Sequence, residues 1–341
     1  MNEIILHNVN NKINSENINN SNDNNLLSEF SQLIQNFNKV NIKEVEPTVE
    51  NINGYIFEGS LNIVVDQLVN LIFSGLNKGE IEVIIKKYIL DYINNQMITL
   101  QQIYIWLLNN QNNSNSIYLL GYFNYYGIGT DLNKESAIKL YQKAAELENR
   151  MAQFSLINEY IYGKVNKNYS LAFKLSEKLA EEEYACGIFM LGLCYDSGIG
   201  TGYNGEKAFE LYQKAADLGN IDGMINLGLC YYEGTGNDSN YEKTFELFQK
   251  AADLGSPFGI NCLGWCYSEG IGTYVNDQKA FESYLKAANL ENYNAQYKLA
   301  LMYENGYGIE KDIDQAIYWY KKSAAQGYQE ASFKLKKILK E

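Results

Sequence analysis

The sequence predicts an all-α array of repeated helical units, and three observations lead to this fold class. Leucines recur every 36 residues, with a single 35-residue step, at Leu120, Leu156, Leu191, Leu227, Leu263, Leu299 and Leu335. Gly-x-Gly turns and alanine-rich segments that contain a lysine recur with the same period. Such a period is typical of supersecondary units that bury a core only by stacking on their neighbours. It indicates a binding scaffold rather than a catalytic pocket.

Each unit is predicted to begin with a helix, helix A, that packs closely on its neighbours. A tyrosine stands four residues after most of the repeated leucines, as in Leu191 and Tyr195, so the two share one helical face. A small residue follows many of the leucines directly, and another precedes each of them by four residues. Glycine inside a helix costs roughly 1 kcal/mol relative to alanine, so its recurrence indicates close helix–helix approach.

A second helix, helix B, is predicted to follow a glycine turn in each unit. The turns are Gly127/Gly129, Gly198/Gly200, Gly234/Gly236, Gly270/Gly272 and Gly306/Gly308. Glycine enters the left-handed conformation of a helix C-cap without a Cβ penalty. Helix B carries a lysine with an alanine two residues later, as in Lys214 and Ala216. We expect these alanines to let the next unit approach, and the lysine heads to remain solvated.

This pattern resembles the Sel1-like repeat family, which is related to the tetratricopeptide repeat. The family pattern reads A-x-x-x-L-G-x-x-Y-x-x-G-x-G, a loop, and K-A-x-x-x-Y-x-K-A-A-x-x-G, and residues 295–327 follow it nearly throughout. The resemblance covers residues 116–341. It implies a right-handed α/α superhelical solenoid of six repeats over 114–330, with a polar C-terminal capping helix over 331–341. The second unit departs most, because Ile157 replaces the helix A glycine and Val165 replaces the second turn glycine.

The N-terminal third lacks the repeat. Residues 1–46 are rich in asparagine and are expected to be a disordered tail that contains a short amphipathic segment, 25–39. Residues 47–113 are predicted to form a helical cap, with Thr99 and Gln102 as a capping box ahead of the third helix. This cap resembles the region that precedes the repeats in fungal kinase-fused Sel1-repeat proteins, although the kinase motifs themselves are missing from this sequence. A kinase-less paralogue and a gene fragment both fit that pattern.

Composition argues against most catalytic chemistry. The single histidine, His7, lies in the tail, so histidine-based triads and metal clusters are not expected. Cys194, Cys230 and Cys266 recur every 36 residues and are interpreted as stacked core residues, while Cys262 with Cys266 offers at most two metal ligands. We therefore expect no enzyme activity, no cofactor and no metal. Cysteine-rich secreted relatives place a cysteine where this chain has the second helix B alanine, so their disulfide framework does not carry over.

Charge and targeting signals restrict the partners. The net charge of −13 argues against binding to nucleic acid or to anionic membrane surfaces. No signal peptide is evident, and the longest apolar runs are too short to span a bilayer, so no membrane insertion is expected. Free cysteines together with these features are typical of a cytoplasmic protein.

The resemblance also implies a partner surface, because helix A lines the concave face in tetratricopeptide relatives. Three sets of helix A positions then face inward. The first is Tyr118, Phe154, Phe189, Ile225, Asn261 and Tyr297; the second is Tyr122, Asn158, Leu193, Leu229, Trp265 and Leu301; the third is Tyr125, Ile161, Asp196, Tyr232, Ser268 and Glu304. From these sets we take as candidate partner-binding residues Tyr122, Tyr125, Phe189, Asp196, Tyr232, Trp265, Tyr297 and Glu304. Aromatic residues with few charges are typical of protein-binding hot spots. The alternative is that these rings pack between the helices.

The sequence thus favours a non-enzymatic adaptor that binds a protein or peptide on the concave face, in a kinase-signalling context. A regulator resembling chitin synthase activators is the alternative within the binding class. A hydrolase or a kinase-derived enzyme is the disfavoured alternative from another class.

Overall fold

A computed structural model describes residues 58–163 and 166–339. Over these residues the chain forms sixteen helices and no strand, which confirms the predicted all-α fold. The predicted tail 1–46, its amphipathic segment 25–39 and the start of the predicted cap lie outside the described residues. None of the described helices has the length and apolar character needed to cross a membrane.

The first of two compact units comprises residues 58–76 and 82–167. It contains the helical region ahead of the repeats, the first repeat and helix A of the second repeat. Its helices are α1 (Glu58–Lys78, of which the last two residues belong to the other unit), α2 (Glu82–Asn95), α3 (Leu100–Asn109), α4 (Ser114–Tyr126), α5 (Lys134–Glu146) and α6 (Arg150–Tyr162). The capping box predicted at Thr99 and Gln102 is present at the start of α3.

The second compact unit comprises residues 77–81 and 168–339. It contains helix B of the second repeat, four complete repeats and the last helix. These helices are α7 (Tyr169–Glu181), α8 (Ala185–Ser197), α9 (Gly205–Asp217), α10 (Ile221–Glu233), α11 (Tyr241–Asp253), α12 (Pro257–Glu269), α13 (Asp277–Asn289), α14 (Tyr293–Asn305), α15 (Ile313–Ala325) and α16 (Gln329–Ile338). Consecutive helices from α7 to α16 pack against one another, as expected of a Sel1-repeat solenoid.

Within a repeat, helix A packs on an aromatic ring of helix B through a glycine. A Cβ added to Gly228 would come within 2.6 Å of the Phe248 ring, and one added to Gly192 within 2.9 Å of the Tyr212 ring. Gly264 stands in the same relation to Tyr284, at 3.0 Å. The rings of Tyr212, Phe248 and Tyr284 are fully buried. The repeated glycine is therefore required by the volume of the ring opposite it, as the sequence pattern predicted.

Between repeats, the contacts are equally close and involve backbone. A Cβ on Gly259 would meet Cβ of Ala251 at 2.6 Å and the backbone of Ala252 at 2.8 Å, so helix A of one repeat lies directly on helix B of the preceding one. The alanine directly after the lysine, Ala251, thus makes the closest contact, whereas the sequence pattern pointed to Ala252, which contributes a main-chain atom. The second glycine of each turn also packs on the preceding helix B: Gly272 has a φ of +64° and lies against the main-chain carbonyl of Tyr241.

The boundary between the two compact units falls inside the second repeat, between α6 and α7. The sequence departs from the repeat pattern at this place. Ile157 stands where other repeats have a glycine, and Gly163, which ends α6, has a φ of −56° rather than the left-handed value of the equivalent Gly198 and Gly234. The irregular repeat thus coincides with the division of the chain.

Asparagine has a structural role that the sequence analysis did not assign to it. Asparagine is the N-cap of most repeat helices, where its side chain accepts a hydrogen bond from a first-turn N–H, as Asn240 does from Lys243. Helix α8 is an exception, because its N-cap residue, Tyr184, makes no such bond. The Asn77 side chain accepts a hydrogen bond from the N–H of Cys186 instead, and the Asn77 carbonyl accepts one from Asn220.

The final helix differs in part from the predicted polar cap. Helix α16 carries Lys334, Lys336 and Lys337, as expected, but Phe333 is 71% exposed and Leu339 is 62% exposed. Its inner side packs through Ala331, which is fully buried against the core of the last repeat. The outer side of this helix is therefore mixed rather than polar.

Substitution of Gly272 tests how much the contact between repeats contributes. We expect Gly272→Ala to destabilise the protein more than Gly255→Ala, because both glycines have positive φ but only Gly272 abuts backbone. Nothing lies within 4 Å of a Cβ on Gly255. The left-handed conformation costs about 1–2 kcal/mol at either site, and the clash at Gly272 adds about 1–3 kcal/mol. Urea denaturation measures the loss of unfolding free energy in each variant. Equal losses would mean that the contact of Gly272 with the preceding repeat adds nothing to stability.

Candidate protein-binding surface

Helices A and B of repeats three to five differ in charge. The three A helices, α8, α10 and α12, carry four acidic residues and no lysine or arginine: Asp196, Asp222, Glu233 and Glu269. Each of the corresponding B helices, α9, α11 and α13, carries two lysines. The three A helices therefore carry no positively charged side chain that could balance their negative charge.

Two aromatic rings meet where A helices of adjacent repeats touch. Tyr232 on α10 and Trp265 on α12 contact edge to face, with ring centroids 4.7 Å apart. Tyr241 and the buried Phe248 lie beside them, with centroids 5.5 Å from Tyr232 and 6.4 Å from Trp265 respectively. Tyr232 and Trp265 are both half-buried, so each keeps ring surface that reaches solvent. A partner-binding residue must not be fully enclosed, and Tyr232 and Trp265 both meet this condition.

Two carboxyl groups on the A helices α8 and α10 have raised pKa values. Asp196 on α8 accepts a hydrogen bond from the Tyr212 hydroxyl at 3.3 Å, and burial raises its pKa despite that bond. Glu233 follows Tyr232 in the sequence. Its pKa is also raised, mainly by partial desolvation and then by the negative charge of Asp196. The negative charge of Asp196 thus makes the ionised form of Glu233 less favourable.

A buried amide completes this surface. Asn261 lies four residues before Trp265, so the two side chains share one face of α12. Asn261 is 8% exposed, and its Oδ1 atom accepts no hydrogen bond from any described residue. A buried acceptor without a donor costs about 1–3 kcal/mol. We name the surface formed by Asp196, Tyr232, Glu233, Asn261 and Trp265 the acidic–aromatic surface.

The candidate residues in the first repeat and at the start of the third are more enclosed. Tyr122 is 2% exposed and donates a hydrogen bond to Glu82. Tyr125 is half-buried and donates to Glu159 at 3.4 Å. Phe189 is 6% exposed, and its ring contacts that of Tyr212 at 5.9 Å. Tyr122 and Phe189 therefore present almost no surface to a partner in this structure.

The two candidates nearest the C-terminus are engaged by the last helices. Glu304 accepts hydrogen bonds from Lys334 at 3.0 Å and from the Tyr320 hydroxyl, and these interactions lower its pKa in spite of burial. The half-buried Tyr297 contacts the rings of Tyr320 and Tyr328 at 5.7 and 5.0 Å. Glu304 is therefore already neutralised within the chain, unlike Asp196.

Asn261 is one of the inward-facing positions predicted from the sequence but not one of the candidate residues, and Glu233 belongs to neither group. The signal for Glu233 was its place next to Tyr232. The signal for Asn261 was a polar residue in a set that is otherwise apolar or aromatic.

The five cysteines are buried and form no disulfide with one another. Burial raises the pKa of Cys194 to about 11 and those of Cys230 and Cys266 to about 12, so these sulfurs are protonated at neutral pH. Their places in α8, α10 and α12 agree with stacked core residues. Among the described residues, no group of three histidine, cysteine, aspartate or glutamate side chains is arranged to hold a metal ion.

The raised pKa of Asp196 predicts a pH-dependent contribution to stability. Because the folded state binds the proton more tightly, the free energy of unfolding falls as pH rises above the ordinary value of 3.8. Asp196→Asn removes this loss. We expect the variant to melt at a higher temperature than the native protein at neutral pH, and the difference to shrink as the pH approaches 3.8. Glu210→Gln, at an exposed position on α9, is the control; an Asp196→Asn difference that does not change with pH would contradict the assignment.

Comparison with known proteins agrees with this architecture. The family model of the Sel1 repeat matches residues 114–149, 148–184, 187–220, 221–256, 262–292 and 294–328, together more than half of the chain. A Sel1 repeat protein from Oxalobacter formigenes is similar in structure, with 28% identity and a TM-score of 0.59 over 66% of this chain and 91% of that one.

A protective antigen present in uropathogenic Escherichia coli strains, which displays an SLR fold, is 29% identical with a TM-score of 0.53. That alignment covers 71% of this chain and 52% of the antigen, so this chain spans about half of the antigen's length. No curated protein sequence matches the chain. On the strength of the six repeat matches, the chain belongs to the Sel1 repeat family.

Proposed function

We propose that the protein is a non-enzymatic adaptor that binds a protein partner on the A helices of repeats three to five. Sel1 repeat proteins are generally protein-interaction scaffolds. The observation that carries the proposal is the half-buried pair Tyr232 and Trp265, held together at 4.7 Å between adjacent A helices. Large aromatic rings in a partly desolvated position are enriched among the residues that dominate binding energy.

The packing of the repeats supports this choice of surface. Helices α10 and α12 contact each other directly, although α11 lies between them in the sequence. Helices on the inner side of a curved array approach each other in this way. A partner on the A helices could therefore contact several repeats at once, which agrees with the concave face implied by the family resemblance.

The proposal narrows the set of residues expected from the sequence. Tyr232, Trp265 and Asp196 belong to the proposed surface, and Tyr297 lies on the next A helix, α14. Tyr125 lies in the other compact unit and is not included in the surface. Tyr122 and Phe189 are assigned to the core because both are less than 9% exposed. Glu304 is assigned to the contact with α16, because Lys334 already neutralises it.

The finer parts of the proposal rest on the sequence alone. A cytoplasmic location is proposed from the cysteines that form no disulfide with one another, and a kinase-signalling context from the resemblance of the N-terminal region. The protonated, buried cysteines support a scaffold over a thiol enzyme, because the thiolate is the reactive form. Nothing among the described residues favours a chitin synthase activator over a general adaptor, so the latter alone is proposed.

Loss of the aromatic pair tests the function. We expect the double variant Tyr232→Ala/Trp265→Ala to lose partner proteins that the native protein recovers from lysate of its source cells, with recovery reduced at least about tenfold, the loss expected for about 1.4 kcal/mol. Quantitative mass spectrometry of the recovered proteins gives the ratio for each partner. Circular dichroism establishes that both forms are folded.

The matched control is Tyr203→Ala/Tyr274→Ala, which removes two rings that are 68% and 92% exposed in loops. A second readout is a photo-crosslinking residue at Ser268 on α12 compared with one at Gln249 on α11. Crosslinks from Ser268 that are absent at Gln249 support binding on the A helices. Equal recovery by both double variants, with crosslinks only from Gln249, would place the partner on the B helices and refute the proposal.

A further inference from the structure

We propose that the last helix, α16, docks an acidic amphipathic helix of a partner protein on its outer side. We name that side the terminal face and define it by Phe333, Lys336 and Leu339, which follow one another at three-residue spacing. This is a second binding surface, separate from the A helices of repeats three to five, and it does not rest on the proposed function. Three observations support it: exposed apolar side chains, an excess of positive charge, and a lysine where most repeats have glycine or alanine.

Phe333 is far more exposed than the residues at its position in the repeats. It stands two residues before a repeated leucine, as Phe189 does. The Phe189 ring packs on Tyr212 of helix B in the same repeat and is 6% exposed, whereas Phe333 is 71% exposed. The remaining residues at this position are all buried or half-buried: Tyr118, Phe154, Ile225, Asn261 and Tyr297. The side of α16 that corresponds to a contact with helix B is therefore uncovered, and Leu339 adds a second apolar side chain that is 62% exposed.

Helix α16 is the most positively charged of the described helices. Its three lysines and its one glutamate, Glu330, give a net charge of +2, whereas no other described helix exceeds +1. Lys334 pairs with Glu304 at 3.0 Å, and Lys337 contributes to the lowered pKa of the Glu304 carboxyl group. Lys336 is exposed and makes no ion pair with a described residue. In a chain with a net charge of −13, this local excess of positive charge favours a partner with acidic side chains.

Lys336 restricts which helix can dock. It directly follows a repeated leucine, at the position where Gly228 lies against the buried ring of Phe248 in another repeat. The sequence departs from this combination most clearly in the second repeat, where Ile157 takes the position of the glycine and Ser176 takes the position of the ring. A large residue on helix A thus goes with a small one on helix B, as close packing requires. A helix that docks on α16 must accordingly place a small residue, not a ring, opposite Lys336.

Two other occupants fit the terminal face less well. A second copy of α16 would bring the lysines of two helices together, which like charges disfavour. The segment 25–39 has apolar residues at helical spacing but contains one glutamate and one lysine, so it supplies no net negative charge. An acidic helix of a partner protein, with one apolar side, matches both the apolar and the charged parts of the terminal face.

Fluorescence anisotropy with labelled peptides patterned on helix B tests the inference with the full chain. The reference peptide copies residues 205–217, GEKAFELYQKAAD, with both lysines replaced by glutamate and the tyrosine replaced by alanine. We expect this peptide to bind. The same peptide with its two lysines restored should bind at least about tenfold more weakly, because it loses most of its negative charge. Equal binding of the two peptides would refute recognition of an acidic helix.

Phe333→Ala tests the apolar part of the terminal face. We expect it to weaken the reference peptide by at least about tenfold. The melting temperature of the free protein should stay unchanged, because the ring is exposed in the free chain. Tyr274→Ala, which removes a loop ring that is 92% exposed, is the control and should leave peptide binding unchanged. Unchanged binding by Phe333→Ala would overturn the inference.

The size of the residue opposite Lys336 gives a second readout. A third peptide differs from the reference peptide only in keeping the tyrosine. The native protein should prefer the alanine peptide by about fivefold or more, the effect expected of overpacking. Lys336→Ala should abolish that preference, since Ala300 stands at the equivalent position in a repeat whose ring, Tyr320, is fully buried. A preference that is absent, or that persists in Lys336→Ala, would refute docking in the manner of a helix B.

Charge reversal at two exposed lysines separates a local contact from attraction by net charge. Lys336→Glu should weaken the reference peptide by at least about tenfold, while Lys174→Glu, on α7, should change its affinity less than about threefold because salt screens distant exposed charges. Equal weakening by both variants would overturn the inference. Tyr232→Ala/Trp265→Ala should bind the peptide as the native protein does; loss of binding in that variant would place the peptide on the A helices instead.

A photo-crosslinking residue at Gln329 identifies the occupant. Gln329 is exposed and lies four residues before Phe333, on the same side of α16. Crosslinks to the reference peptide support the inference. Crosslinks between two copies of the chain, or to residues 25–39, that the peptide does not displace would assign the terminal face to those occupants and refute it.

Discussion

The structure depends on one steric constraint, the direct approach of a turn glycine to the backbone of the preceding repeat. Gly200, Gly236, Gly272 and Gly308 each have positive φ, and a Cβ on any of them would collide with main-chain or Cβ atoms at the start of the preceding helix B. The contact sets how closely neighbouring repeats stack, and thereby where Gly223 and Gly259 meet the helix B alanines. Side-chain packing between repeats follows from that spacing.

Because each repeat contacts only its neighbours, a local departure has a local structural effect. Ile157 and the turn that follows α6 break the pattern once, and the boundary between the two compact units lies there. The four repeats that follow keep the pattern and carry the acidic–aromatic surface. Asparagine caps most repeat helices in the same way. The N-cap residue of α8, Tyr184, makes no side-chain cap bond, and Asn77 accepts a hydrogen bond from the first turn of that helix instead.

The A helices of repeats three to five retain features that stability alone does not favour. Asp196 is ionised at a cost that its raised pKa reflects, and Asn261 buries an acceptor without a donor. Helix B, in contrast, pairs its lysines with carboxylates or rings of the same chain, as Lys214 does with Glu183 and Lys207 with Tyr195.

The sequence by itself determined the all-α class, the six repeats, the turn glycines and the buried cysteines. These features recur every 36 residues because the same packing contacts are needed in every repeat. It also selected Tyr232 and Trp265 as candidate partner-binding residues, although their contact is visible only in the structure. It did not distinguish the enclosed Phe189 and Tyr122 from exposed rings, nor the neutralised Glu304 from the uncompensated Asp196. Those differences arise from contacts with other helices, such as Lys334 on α16 and Glu82 on α2, which no periodicity encodes. Only the tertiary structure decides them.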